Sequence, residues 1–156
     1  MTDWAAKLSL EPDPTAESDC AFCRIAKGET DTTVVCESDE SIAFFPENPA
    51  TPGHTLVIPR KHVQHFLMMD PRLSENLMSM VVRVGRALES TVKPEGMNLI
   101  SSAGTAATQT VPHLHLHVVP RWSSDAIGEI WPPKEPMGEA LEDDLGERVR
   151  AACATV

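Results

Sequence analysis

The chain has 156 residues, the length of one folded domain, and its 42 % hydrophobic and 23 % charged residues suit a protein that buries a core without disulfide help. Thirteen basic against 23 acidic residues leave a formal charge of −10, which argues against broad electrostatic binding of duplex nucleic acid. Aromatic residues make up 4 %, with no tyrosine, so stacking several bases along a single strand is equally disfavoured.

Residues 1–18 are acidic and carry Pro12 and Pro14, and read as a mobile tail. They lack the basic start and apolar run of a secretory signal, and no stretch of 18 apolar residues follows, so the expected compartment is the cytoplasm. There a disulfide framework is not expected. Cys20 and Cys23 form a C-x-x-C pair, which suits either a metal knuckle or a redox pair. Thr33–Glu37 is a β-branched strand holding Cys36, Ser38–Glu40 a turn, and Ser41–Phe45 the returning strand of a hairpin. Pro46, Pro49, Pro52 and Gly53 mark a loop before a strand at His54–Ile58.

Asp70-Pro71 opens a long helix, because Asp at the N-cap accepts unpaired N–H groups and Pro in the first turn loses nothing. Leu73, Leu77, Val81, Val84 and Leu88 form its apolar stripe. Strands are expected at Met97–Ser101 and His113–Val119. Loop follows from Trp122 through Pro136, and then a short amphipathic helix on Leu141, Leu145, Val149 and Ala152. About five mostly antiparallel strands with one long helix and one short C-terminal helix make an α+β chain.

His113-Leu114-His115-Leu116-His117-Val118-Val119 is the most informative segment. Side chains alternate along a strand, so the three imidazoles share one face while Leu114, Leu116 and Val118 share the other. Such a face suits metal binding, nucleophilic attack by a neutral imidazole on phosphorus, or a polar solvated surface.

HLHLHVV resembles the alternating histidine–apolar signature of the histidine-triad (HIT) nucleotide hydrolases and transferases. CAFCRIAKGE, NPATPGHTLVIPRKH and GMNLISSAGTAATQTVPHLHLHVVPRW are similar to HIT segments in the same order, and Trp131-Pro132-Pro133 resembles the C-terminal Trp-Pro-Pro of Hint proteins. The resemblance covers residues 19–133, after the 1–18 tail and before a C-terminal tail at 134–156. It implies a HIT-like fold and cleavage of a nucleoside 5′-phosphate derivative through a nucleotidyl-histidine intermediate. His115 would be the nucleophile, with its other ring nitrogen on a neighbouring backbone carbonyl. His117 would contact phosphate or move a proton, and His54 would be an orienting group at most. Gln109 and Thr110 would donate to phosphate or leaving group, with Gly104 admitting backbone N–H groups to the phosphate. Phe22, Ile25, Phe44 and Leu56 would form the base slot.

The resemblance further implies a structural zinc ion on Cys20, Cys23, His62 and His113, with His65 a rival to His62. It implies a homodimer through the long helix and a central strand, using Met78, Met80, Arg83 and the Met97 strand, with Trp131 reaching the partner's site. The chain departs from the pattern at Pro46, where relatives place a ribose-binding Asp or Asn; Glu47 or Asn48 could substitute. Ser102 and Thr108 stand where Asn and Gly are common. Rival readings are a non-catalytic nucleotide-binding module, a zinc-stabilised interaction domain and, more weakly, a thiol redox protein.

Overall fold

The computed structural model describes residues 19–131 and 138–155; the expected tail at 1–18 and Pro132-Pro133 lie outside them. The chain divides after Ala126 into two units. The first holds α1 (Ala21–Ala26), β1 (Val34–Glu37), β2 (Ser41–Phe44), β3 (Thr55–Pro59), α2 (Pro71–Val92), β4 (Gly96–Ile100) and β5 (Leu116–Arg121). The second holds α3 (Glu139–Cys153), whose Leu145 and Val149 are exposed. No helix among the described residues is long and apolar enough to cross a membrane.

The five strands form one sheet in the order β1-β2-β3-β5-β4, with every pair antiparallel. Residue alternation sorts the two faces. Ala43, Val57, Leu116 and Val118 face α2, where Leu77, Met80, Val81, Val84 and Leu88 complete the main core. Burial of each large aliphatic side chain there contributes about 1.5–3 kcal/mol. Ile42, Phe44, Leu56 and Ile58 face the other way and are covered by Ala26, Phe22 and Ile25 of α1. The helix start is as expected: Asp70 caps α2 by accepting the Leu73 N–H at 2.8 Å. Met80, placed at a surface by the resemblance, is buried in the α2 core, because the buried stripe is one residue wider than the Leu/Val pattern.

Two particulars position the site. Gly53 adopts φ +81°, and a Cβ there would lie 3.0 Å from Leu88 Cδ2, so the loop into β3 needs glycine for conformation and for space. The expected strand at His113–Val119 pairs only from Leu116 onward. Before that point the ladder partners are engaged elsewhere: the Leu114 N–H donates to the Val63 carbonyl at 2.6 Å, and the Pro59 carbonyl accepts from the His113 side chain at 2.9 Å.

Candidate active site

α1 and the start of the triad segment meet at a cluster of Cys20, Cys23, His62 and His113, whose ligand atoms all lie within 4.8 Å of one another. His113 Nδ1 is 3.4 Å from Cys20 Sγ and 3.5 Å from Cys23 Sγ, and His62 Nδ1 is 3.2 Å from Cys23 Sγ. The edges of a tetrahedron built on ordinary zinc–sulfur and zinc–nitrogen bonds are about 3.6 Å, so two sulfurs and two imidazoles at these spacings fit the ion. His113 is almost wholly buried. Burial, with the neighbouring His62 and His115, lowers its pKa to about 4 against a hydrogen bond to the Pro59 carbonyl that raises it, so the ring is neutral. With Nε2–H donated to the Pro59 carbonyl, its Nδ1 lone pair faces the thiols. His65 is buried but is not a member of the cluster.

The next imidazole has a different task. His115 Nδ1–H donates to the His113 carbonyl at 2.7 Å. That bond fixes the tautomer and leaves Nε2 with a free lone pair. Ser101 holds the same residue from behind, its hydroxyl donating to the His115 carbonyl at 3.0 Å. Phe22 stands T-shaped to both rings, 5.3 Å from His115 and 5.9 Å from His113 between centroids.

His117 and His54 form a directed chain. The Ala50 N–H donates to His54 Nδ1 at 3.0 Å, so the His54 proton sits on Nε2. His54 Nε2–H donates in turn to His117 Nδ1 at 2.9 Å, which places the His117 proton on Nε2. Burial lowers both pKa values. His117 reaches about 4, pushed further by repulsion from His115 and His54. His115 and His117 face each other at 5.0 Å between ring centroids. One ring thus offers a lone pair and its neighbour a hydrogen-bond donor.

Phe22, Ile25, Phe44 and Leu56 come together in one apolar cluster. Phe44 and Leu56 are 2 % and 5 % exposed and form its floor, while Phe22 and Ile25 are half-buried at the rim. Glu47, Asn48 and Thr110 are exposed, and Ser102 is half-buried. Gln109, expected to donate to phosphate, has both amide hydrogens engaged by the protein. Nε2 donates to the carbonyls of Gln64 at 2.7 Å and Val111 at 3.0 Å, and Oε1 accepts the Gly104 N–H at 2.8 Å. Sequence reasoning did not single out Ser101 or the Ala50 N–H. The first is signalled only by the β4–β5 register, which pairs Ile100 with His117, and a backbone donor carries no residue signal at all.

The chain matches the HIT domain family over residues 27–124. A solved structure from Streptococcus mutans superposes with a TM-score of 0.81 at 36 % identity, covering 86 % of this chain and 85 % of that one. A zinc-bound histidine-triad protein from Mycobacterium smegmatis superposes with a TM-score of 0.66 at 30 % identity, over 89 % of this chain and 96 % of the other. An adenosine 5′-monophosphoramidase from Schizosaccharomyces pombe is 30 % identical over 131 residues, 83 % of this chain and 95 % of the relative. The residues matched by the family, the triad within them and the shared fold agree, and the chain belongs to the HIT family.

Proposed function

We propose that the protein cleaves a nucleoside 5′-phosphate derivative at its α-phosphorus, through a nucleotidyl intermediate on His115. Adenosine phosphoramidate, an adenylated conjugate or a diadenosine polyphosphate is the substrate class. The observation that carries this is the 2.7 Å bond from His115 Nδ1–H to the His113 carbonyl, which leaves Nε2 as the reactive atom. In the first step Nε2 forms a bond to phosphorus, the bond from phosphorus to the leaving group breaks, and the leaving group takes its proton from solvent while His117 Nε2–H hydrogen-bonds a phosphoryl oxygen. The His115 ring then carries positive charge on its N–H, which the His113 carbonyl stabilises. In the second step water attacks phosphorus, the Nε2–phosphorus bond breaks, and the water's proton is released to solvent as His115 returns to its neutral form. Splitting the displacement this way lowers each barrier. Phe22 and Ile25 are assigned to the base, Thr110 and Ser102 to the phosphate, and Glu47 or Asn48 to the ribose role that Pro46 cannot fill.

Cys20, Cys23, His62 and His113 would hold zinc as a closed structural site, which when bound ties α1 to the triad segment. The relative that carries zinc supports this reading. β4 is a sheet edge with Met97 and Leu99 exposed, and with Met78 of α2 it is the face we assign to a homodimer; Arg83, expected there too, lines a groove with Ser38–Ser41 on the other flank of α2.

Mixing the protein with adenosine phosphoramidate, quenching in base within one turnover and mapping the adduct by mass spectrometry tests the reaction. A nucleotidyl group on His115 is expected. Turnover with the label absent from His115, or retained in His115→Asn, removes the mechanism.

A further inference from the structure

Residues 101–110 connect β4 to the triad, and one side chain clamps them. The three side-chain bonds of Gln109 reach Gly104 inside the loop, Val111 at its end and Gln64, two residues beyond His62. Its backbone N–H also donates to the Gly104 carbonyl at 3.2 Å, and the Ala107 N–H shares that acceptor at 3.1 Å. The same loop contains an unfavourable backbone. Thr108 adopts φ 64°, a left-handed conformation that a β-branched residue resists. Such a residue persists only where its surroundings over-determine it. At the start of the loop, Ser101 holds the carbonyl of His115.

We propose that Gln109 is a positioning residue: it holds the 101–110 loop, with the left-handed turn at Thr108, against His115 and acts without touching the nucleotide. The inference rests on the reading of His115 as nucleophile and names how the loop beside it is kept in place. The strain at Thr108 opposes the clamp, so the two residues are energetically coupled. A residue that only contacted phosphate would show no such coupling.

The test is a cycle of Gln109→Ala, Thr108→Gly and the double variant, read by steady-state kinetics with adenosine phosphoramidate and by hydrogen exchange at the Ala107 amide without ligand. Gln109→Ala is expected to lower kcat by about 10- to 100-fold, the scale of a small misplacement near reacting atoms, with KM little changed. Ala107 exchange should accelerate in parallel. Thr108→Gly removes the left-handed penalty, so the double variant should recover about tenfold of the lost rate and slow Ala107 exchange again. A rise in KM with no recovery in the double variant overturns the proposal in favour of direct contact. If Gln109→Ala does not fold, Gln109→Glu serves, since it keeps the acceptor for Gly104 and loses both donors; the same loss and the same rescue are expected, and their absence is equally fatal. Wild-type protein inert toward adenosine phosphoramidate would sink the nucleotidyl reading instead, and Ala107 exchange across the cycle still decides the clamp.

Discussion

At His115 the proposed reaction depends on which ring nitrogen carries the proton, and a backbone carbonyl decides it. Replacing the ring by an amide removes the proposed nucleophile. His115→Asn is expected to lose at least about a thousandfold in turnover while still binding AMP, measured by kinetics and calorimetry. His117 gives a pH prediction. Its pKa is about 4 in the fold against an ordinary 6.5, with burial the main cause. Below 6.5 the unfolded chain takes up the proton and the folded chain does not, so stability is full above 6.5 and falls as pH drops toward 4. Urea melts at pH 7, 5.5 and 4.5 should show that decline, and His117→Gln should show a shallower one. Equal slopes would contradict a buried neutral His117.

Among the elements, α2 was readable because its signals are local: a capping Asp, a Pro in the first turn and an apolar stripe. Asp70→Ala is therefore expected to cost about 1 kcal/mol, a fall of about 3 °C in Tm by calorimetry. Its far end is less well made, since Lys93 closes the helix at φ 48°. Lys93→Gly should stabilise the protein by about 0.5–1 kcal/mol in the same assay; a loss would mean that the Lys93 side chain itself holds the helix end. The hairpin and the shared face of the three histidines were readable for similar reasons, since periodicity needs no knowledge of neighbours. What failed to show was set by distant partners. The ladder of β5 starts late because the Pro59 carbonyl takes the His113 side chain and the Leu114 N–H goes to Val63, beyond β3, and nothing within His113–Val119 encodes that. Gaps of 39 residues from Cys23 to His62 and 51 from His62 to His113 could not choose His62 over His65. An amide in a loop, like that of Gln109, looks the same in sequence whether it faces a ligand or its own backbone.

For the molecule as a whole, the Cys–His cluster joins a six-residue helix, too short to be stable alone, to the segment that carries the proposed nucleophile. One tight zinc equivalent is expected per chain, with Tm falling on chelation and Cys23→Ser abolishing both effects, read by metal titration and thermal melts. Less than about half an equivalent would remove the zinc assignment. The assigned dimer makes a separate prediction: Leu99→Lys should halve the mass seen by light scattering, and an unchanged mass would place the interface elsewhere. Because hydrogen-bonded pairing begins only at Leu116, the ring proposed as nucleophile rides on a cantilever one step beyond the sheet ladder. Three guy-lines from separate stretches of chain steady its tip: the carbonyls of Pro59 and Val63 and the hydroxyl of Ser101. Slackening any one of them swings the tip, so substitutions that never meet the substrate will register in the rate of the chemical step.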